Sequence, residues 1–352
     1  MVRDGALQTA FLIGYAVALA AFQTGSVAVA NHAIVIEQTG GPDALVWQEV
    51  PISDPGPGEI RIRHHAIGLN FIDTYFRSGL YPATPPFTPG NEGAGEVVAI
   101  GEGVKRFATG DRVAYTIGLG GYAEERNLPA DRAVAIPDGV SYETAAVAML
   151  KGLTARYLLC QTHELSSRHT ALFHAASGGV GLIAGQIARH IGARIIGTAS
   201  KGKHDLAREH GYDELIDYNN EDFAERVKAL TDGALCDVVY DSVGQATLMK
   251  SLDCLRSRGL LVSFGQSSGK VDPFDLGLLS QKGSIYVTRP TLYHYIADRS
   301  SLEEAAAQMF GWLADGTVTI EIGQRFALKD AAEAHRALEA RETVGASVLL
   351  PG

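Results

Sequence analysis

The stretch HAASGGVG, His174–Gly181, decides the fold. It follows the apolar run TALFHAA, which is typical of a strand, and it precedes GVGLIAGQIARHIG, which has the pattern of an amphipathic helix. Ala176, Gly178 and Gly181 have the spacing of the G-x-G-x-x-G fingerprint, with alanine in the first position. Because a helix N-terminus favours an anion, the loop predicts the site of a dinucleotide pyrophosphate. Glycines needed only for close helix–strand packing are the alternative.

The regions on either side of this loop predict an α/β protein. Residues 152–290 alternate apolar strands with helical patterns, which indicates a doubly wound parallel sheet. Residues 31–151 contain short β runs broken by Pro and Gly, as in a compact, largely antiparallel lobe. Residues 291–352 are expected to return to that first lobe. Their first helix should bury one apolar face, made of Leu302, Ala305, Ala306, Met309, Phe310 and Leu313.

Composition narrows the class of protein. The 352 residues suggest two domains, and 46% hydrophobic with 20% charged residues is typical of a globular enzyme. A net charge of -10 argues against nucleic acid as the main ligand, since such proteins carry a basic footprint. Cys160, Cys236 and Cys254 lie far apart without a C-x-x-C pair, so we expect buried free thiols and neither a disulfide framework nor a cysteine zinc cage.

Residues 1–30 have two interpretations. The apolar run FLIGYAVALAAF and the later AVA, Ala28–Ala30, resemble a secretory signal peptide, and the run is too short to span a bilayer. The alternative, which we favour, is a start codon assigned too far upstream. We therefore expect a cytoplasmic protein that begins near Asn31, and an exported protein if the leader is real.

The end of the second strand of the parallel sheet indicates which dinucleotide binds. NAD enzymes place an acidic residue there, about 20 residues after the glycine loop, to bind the ribose hydroxyls. This chain has TASKGK instead, with Ser200, Lys201 and Lys203 and no carboxylate. A hydroxyl and lysines suit a 2'-phosphate, so the sequence predicts NADPH. The alternative for each lysine is a solvated helix start.

Six long motifs follow one another along the chain: AIGLNFIDTYFRSGLYP, PGNEGAGEVVAIGEGV, GDRVAY, HAASGGVG, VVYDSVG and SLDCLRSRGLLVSFGQSSG. Together they resemble the NADPH-dependent quinone oxidoreductases, the zinc-free branch of the medium-chain dehydrogenase/reductases that includes zeta-crystallin. The resemblance extends from Asn31 to Gly352. It implies a GroES-like catalytic lobe, a Rossmann lobe, an active site between them, and commonly a homodimer. Two other functions stay open: reduction of α,β-unsaturated aldehydes or ketones, and non-catalytic NADPH binding as in crystallin relatives.

The resemblance also implies a set of cofactor contacts. Tyr218 and Phe264 are alternatively core aromatics, and Arg341 is alternatively a surface helix charge. The expected contacts are Asn70, Phe71, Ile72, Asp73, Thr74, Tyr75 and Thr154 beside the nicotinamide; Gly178, Gly179 and Val180 at the pyrophosphate; Ser200, Lys203, Tyr218 and Arg341 around the adenosine phosphate; and Phe264, Gly265, Gln266, Ser267 and Thr288 near the nicotinamide ribose.

A catalytic metal site is not expected. Zinc alcohol dehydrogenases carry a cysteine, a G-H-E segment and a further ligand, whereas this chain has Gly90–Glu92, GNE, and no cysteine before Cys160. His64 and His65 are adjacent and should point to opposite sides of a strand, so they are expected to be ordinary strand residues.

The missing metal suits a quinone, which accepts hydride readily because its product is aromatic. The protein then has to supply orientation and a few hydrogen-bond donors to oxygen. Asn70 and Tyr81 are the candidates for this role, with their polar ends facing the substrate. A simple packing role beside Pro82 is the alternative for Tyr81.

Overall fold

The computed structural model describes residues 29–352, so the expectations for the leader lie outside the described residues, apart from its last two positions. These two positions belong to strand β1 (Val29–Val35), which begins before the boundary predicted at Asn31. None of the helices within residues 29–352 has the length and apolar character that crossing a bilayer requires.

The first lobe contains two sheets. A small antiparallel sheet pairs β1 with β2 (Val46–Ile52), and a seven-stranded sheet has the order β14-β15-β3-β4-β5-β7, with β6 also paired to β3. The seven-stranded sheet includes two strands from the C-terminal segment, β14 and β15. Strand β15 joins this segment to the first lobe, because its Ser347 pairs with Leu69 of β3. The strands are β3 (Glu59–Leu69), β4 (Glu92–Ile100), β5 (Arg112–Thr116), β6 (Glu125–Pro129), β7 (Ala133–Ala135), β14 (Ile322–Ala327) and β15 (Ala346–Leu350).

The second lobe is a six-stranded parallel sheet of order β10-β9-β8-β11-β12-β13. The chain builds β8 to β10 in one direction and then returns to add β11 to β13 on the other side, which is the doubly wound order predicted above. The reversal between β8 and β11 creates a crevice at the carboxyl ends of the strands. The strands are β8 (Thr170–Phe173), β9 (Arg194–Ala199), β10 (Glu214–Asp217), β11 (Cys236–Asp241), β12 (Leu255–Ser263) and β13 (Tyr286–Thr288).

Local sequence explains where the main helices begin and end. The glycine-loop helix α4 ends at Gly192, which has a left-handed φ of 81°. Asp298 accepts a hydrogen bond from the Ser301 N–H and so caps α10. The helices are α1 (Phe71–Ser78), α2 (Tyr142–Val147), α3 (Leu153–Tyr157), α4 (Gly179–Ile191), α5 (His204–Glu209), α6 (Phe223–Leu230), α7 (Leu248–Ser251), α8 (Gly277–Gln281), α9 (Leu292–Tyr295), α10 (Arg299–Ala314) and α11 (Ala331–Glu339).

The largest apolar core is shared by the two lobes. It includes Ala66 and Ala94 of the first sheet together with Phe173 and Ile183 of the second lobe. The predicted face of α10 is confirmed: Leu302, Ala305, Ala306, Met309 and Phe310 are buried, and Leu313 is half-buried. The domain bounds near residues 151 and 290 stay predictions.

The cysteines are free, as expected. Cys236 and Cys254 are buried and Cys160 is half-buried. Burial raises the pKa of the Cys236 thiol to about 12, which keeps it protonated and unreactive.

Candidate active site

A cleft of about 700 Å³ opens between the lobes. Phe173 and Ala199, at the ends of β8 and β9, line it, and so do Ser242 and Phe264, which follow β11 and β12. The opposite wall comes from the start of α1 in the first lobe. The cleft therefore lies where the doubly wound sheet reverses its order, the usual ligand position in such sheets.

The N-terminus of α4 forms one part of the cleft. Gly178 precedes the helix in extended conformation, and no side chain caps the first turn. A Cβ on Gly181 would lie 2.4 Å from the Ala175 carbonyl oxygen, so glycine is needed for the close approach of helix and loop. The free N–H groups of this thirteen-residue helix fit an anionic group such as a pyrophosphate.

The predicted adenosine end is built around Lys203. Its Nζ donates to the carbonyl oxygens of Arg341 at 2.9 Å and Thr343 at 2.8 Å. Two of its three donors are thus occupied, and one is left for a ligand. Lys203, Tyr218 and Arg341 all line the cleft. Arg341 follows α11 with a left-handed φ of 61° and is exposed, so the cofactor contact and the surface charge both stay open for it.

The predicted nicotinamide end joins the two lobes. The Tyr75 hydroxyl accepts a hydrogen bond of 3.0 Å from the Gln266 backbone N–H. Burial raises the pKa of Tyr75 to about 12, so the hydroxyl keeps its proton. Phe264 packs against Phe173 with ring centroids 5.6 Å apart. Helix α1 is therefore connected directly to the loop after β12.

Most of the residues predicted to form the site line this cleft, and five of them do not. Those that line it are Asn70, Phe71, Ile72, Tyr75, Tyr81, Thr154, Gly178, Gly179, Val180, Lys203, Tyr218, Phe264, Gly265, Ser267 and Arg341. The five others are Asp73, Thr74, Ser200, Gln266 and Thr288.

Each of these five residues lies outside the lining of the cleft for a local reason. Asp73 is a fully buried residue of the first turn of α1, and the Thr74 hydroxyl donates to the Phe71 carbonyl inside that helix. Ser200 precedes a short 3-10 turn, the Gln266 N–H is taken by Tyr75, and Thr288 is the last residue of β13.

Tyr81 offers a donor to the cleft. Its oxygen accepts a hydrogen bond of 3.0 Å from Arg289 Nη2, so its own hydrogen is left for a ligand. Arg289 Nη1 donates to the carbonyl oxygens of Ser263 and Gly265, at 3.0 and 2.8 Å. The ring of Tyr81 lies edge-on to Tyr75, with centroids 5.2 Å apart. Tyr81 thus both packs and presents a polar end.

Asn70 does not offer the donor that was expected of it. Its Nδ2 donates to the Gly68 carbonyl at 3.2 Å and to Glu92 Oε1 at 2.9 Å, which uses both hydrogens of the amide. In this arrangement Asn70 has no free hydrogen for a substrate oxygen, so its expected role as a donor stays a prediction that the geometry does not support. The sequence missed it because the partner carboxylate lies on another strand.

Glu92 and Lys151 form a buried ion pair beside Asn70. Lys151 Nζ lies 2.7 Å from Glu92 Oε1, and the side chains are 7% and 0% exposed. The Leu150 N–H donates to Glu92 Oε2 at 2.6 Å. A Cβ on Gly68 would lie 2.0 Å from Glu92 Oε1, so glycine at this position leaves room for the carboxylate.

A second buried network surrounds Asp73. Its Oδ1 accepts from Asn91 Nδ2 at 2.7 Å, and its Oδ2 accepts from the Asn70 N–H at 2.8 Å and the Tyr122 hydroxyl at 3.0 Å. Burial raises the pKa of Asp73 from 3.8 to about 6, although these hydrogen bonds and Lys151 oppose the rise.

The network continues to the C-terminal helix. Because the Tyr122 hydroxyl donates to Asp73, its oxygen accepts from His335 Nε2 at 3.1 Å, and His335 Nδ1 accepts from Arg77 Nη1 at 3.1 Å. Burial lowers the pKa of His335 to about 3, so the imidazole is neutral, as this order of donors requires. Arg77 also pairs with Glu339 at 2.7 Å.

Sequence reasoning did not find Lys151 or Arg289, and it noted Glu92 only as part of the segment that replaces a metal ligand. The sequence does contain one indication for Lys151. A lone lysine directly follows the apolar run AVAML, and a charge in such a position needs a partner. Arg289 gave no signal, since its role depends on the other lobe.

Glu92, in the segment where zinc alcohol dehydrogenases carry G-H-E, is bonded to Asn70 and Lys151. Within residues 29–352, no group of three or more His, Cys, Asp or Glu side chains is arranged to hold a metal ion. His64 and His65 do point to opposite sides of β3, as predicted. His64 is buried and bonded to the Tyr115 hydroxyl, and His65 is exposed and stacks on Tyr142.

A GroES-like lobe and a dinucleotide-binding lobe with a cleft between them define a medium-chain dehydrogenase/reductase. Two family descriptions match the chain: "Alcohol dehydrogenase GroES-like domain" over residues 56–138 and "Zinc-binding dehydrogenase" over residues 179–311. A quinone oxidoreductase of Pseudomonas aeruginosa is 56% identical over 315 residues, which are 89% of this chain and 97% of the relative.

Two further relatives agree in coverage. A 2-haloacrylate reductase of a Burkholderia species is 44% identical over 331 residues, 91% of this chain and 98% of the relative. The crystal structure of Escherichia coli quinone oxidoreductase complexed with NADPH has a TM-score of 0.89 at 47% identity and covers 91% of this chain and 100% of that one. The chain belongs to the quinone oxidoreductase family.

Proposed function

We propose that the protein reduces quinones with NADPH. The observation that carries the proposal is one cleft that combines an uncapped helix N-terminus, the cations Lys203 and Arg341, and a tyrosine hydroxyl free to donate. The relatives named quinone oxidoreductases support it, and so does the NADPH complex of the E. coli protein.

The residues present fit NADPH. The first turn of α4 would bind the pyrophosphate, and the free donor of Lys203 together with Arg341 would bind the 2'-phosphate. The end of β9 supplies Ser200 and no carboxylate, so nothing at that point repels the phosphate. Tyr75 and Phe264, which line the cleft, would enclose the nicotinamide end.

The reaction is a two-electron reduction. A quinone takes up one hydride from NADPH and one proton from water, which gives the hydroquinone and NADP⁺. Tyr81 donates a hydrogen bond to the quinone oxygen that gains negative charge, and the guanidinium of Arg289 strengthens that donor. The apolar and aromatic walls hold the flat ring and exclude water.

An absorbance assay of the reduced nicotinamide tests the proposal. We expect purified protein to oxidise NADPH when a benzoquinone is added, and to use NADH less efficiently. NADPH binding without acceptor-dependent oxidation would instead identify a non-catalytic nucleotide-binding protein.

The second candidate function is reduction of α,β-unsaturated compounds. The observation in its favour is the 44% identical 2-haloacrylate reductase, whose name describes an unsaturated acid. The same assay with an enal and an enone beside the quinone separates the two functions. A kcat/KM higher for the enal or enone than for any quinone would favour this candidate.

We propose that the protein is a homodimer joined through β13. This strand is the edge of the parallel sheet, and Tyr286 and Val287 on it are 62% and 36% exposed. An apolar edge strand is a ready template for pairing with a second copy. Light scattering should give a dimer mass, and Val287→Lys should give a monomer. A wild-type monomer would contradict the proposal.

We also propose that the protein is cytoplasmic, because its reaction needs a supply of reduced dinucleotide. Fractionation of the native host with N-terminal sequencing tests this. An exported protein that starts at Asn31 would identify residues 1–30 as a signal peptide.

A further inference from the structure

The buried lysine in the cleft has no assigned role. Lys151 lines the cleft, and among residues 29–352 its Nζ is bonded only to Glu92. An ammonium group has three donors, so two are left for a ligand. A lysine with a side chain only 7% exposed is costly to bury without a function or a partner.

Contacts of Glu92 and of the lysine stem fix the position of this ammonium group. Glu92 holds it at 2.7 Å, and Glu92 is itself held by Asn70 Nδ2 and by the Leu150 N–H. The stem of Lys151 packs on the first residue of α4, since a Cβ on Gly179 would lie 2.8 Å from Lys151 Cδ. The charge therefore lies between the predicted pyrophosphate loop and Asn70.

The backbone around Lys151 has an unusual conformation. Lys151 lies in the π-helical turn Ala148–Gly152 between α2 and α3. Such turns are rare and occur often at functional sites. The same turn presents the Leu150 N–H to Glu92. One short segment thus supplies both the cation and a donor that orients its counter-ion.

We propose that Lys151 is a catalytic residue whose ammonium group, oriented by Glu92, stabilises the negative charge that develops on the acceptor oxygen during reduction. This inference rests on the proposed function and assigns it a donor that Asn70 does not supply. A preorganised cation in a water-poor cleft is effective because it needs no rearrangement as the charge forms.

Single-turnover kinetics provide the first test. Lys151→Met should slow the oxidation of bound NADPH by quinone about a hundredfold, the usual effect of removing one such donor. The Kd for NADPH, from fluorescence titration, should change less than threefold. Since Lys151→Met leaves the buried Glu92 carboxylate without its cationic partner, the double variant Lys151→Met/Glu92→Gln keeps the test valid if the single variant does not fold.

Arg156→Met is the matched control. The Arg156 side chain is also 7% exposed and paired, with Glu304, but it lies outside the cleft. This variant should lower the Tm and leave the single-turnover rate unchanged. If Lys151→Met and the double variant behave like Arg156→Met, the pair is structural and the inference is wrong. An equal loss of rate and NADPH affinity would also overturn it, because Lys151 would then bind the pyrophosphate.

A spectroscopic test is independent of turnover. With NADP⁺ present, para-nitrophenol bound in the cleft should ionise at lower pH in the wild type than in Lys151→Met, as its visible absorbance reports. Equal ionisation in both proteins overturns the inference. If the wild type oxidises no NADPH with any acceptor, the proposed function fails, and this titration alone decides the role of Lys151.

Discussion

Replacement of Asp73 by asparagine should change how stability depends on pH. Asp73 is fully buried, and its pKa is raised from 3.8 to about 6 by that burial. A carboxyl group with a higher pKa in the folded protein favours folding while it is protonated. This contribution is complete below pH 3.8 and is lost as the pH rises through about 6. The difference in pKa corresponds to about 3 kcal/mol.

Asparagine fits the site with one adjustment. Its oxygen can accept from the Asn70 N–H and Tyr122, and its amide nitrogen can face Asn91 once that side chain turns its own oxygen inward. Asp73→Asn should therefore fold. Its free energy of unfolding, relative to wild type, should rise by about 2 kcal/mol between pH 4 and pH 7, since part of the wild-type contribution is already lost at pH 4.

Urea unfolding at several pH values measures this difference. His64 and His335, whose pKa values are lowered to about 3 by burial, destabilise both proteins in acid and so cancel in the comparison. Parallel stability curves for the two proteins would refute the argument and would mean that water or a bound ion compensates the carboxylate.

Four other outcomes are expected. Lys203→Ala should raise the Kd for NADPH by about one to two decades and leave NADH unchanged, because a charge-assisted contact contributes about 1.5–3 kcal/mol; equal losses with both cofactors would place Lys203 away from the phosphate. Tyr81→Phe should lower kcat/KM for quinone by about tenfold, below the usual effect of a lost donor, since a quinone needs little activation; an unchanged kcat/KM would reduce Tyr81 to packing. Gly181→Ala should lower stability by about 1–3 kcal/mol because its Cβ would meet the Ala175 carbonyl, and an unchanged Tm would contradict the packing. Thorough chelation should leave quinone reduction unchanged, and loss of activity restored by zinc would show a metal requirement.

The fold could be predicted because its signals are local. The glycine loop at 176–181 and the alternation of strands and helices lie within short windows of sequence. The fold of the first lobe was predicted from the similarity of long motifs to those of a known family. The apolar face of α10 was also visible from its spacing alone.

The polar centre of the site could not be predicted in the same way. Glu92 and Lys151 are 59 residues apart, and Tyr122 and His335 are 213 apart, so no local pattern joins them. Asn70 was taken for a free donor because its carboxylate partner becomes visible only when β3 and β4 pair. Similarity to a family identified candidate site residues such as Asn70, but it did not indicate which partners their hydrogen bonds have.

The position of β15 has a consequence for synthesis of the protein. This strand lies between β14 and β3, near the C-terminus of the chain, yet it belongs to the sheet of the first lobe. The first lobe therefore stays incomplete until the ribosome has reached β15, with an edge of β3 unpaired in the meantime. The second lobe, whose strands are consecutive, can close earlier and provide the surface on which the first is completed.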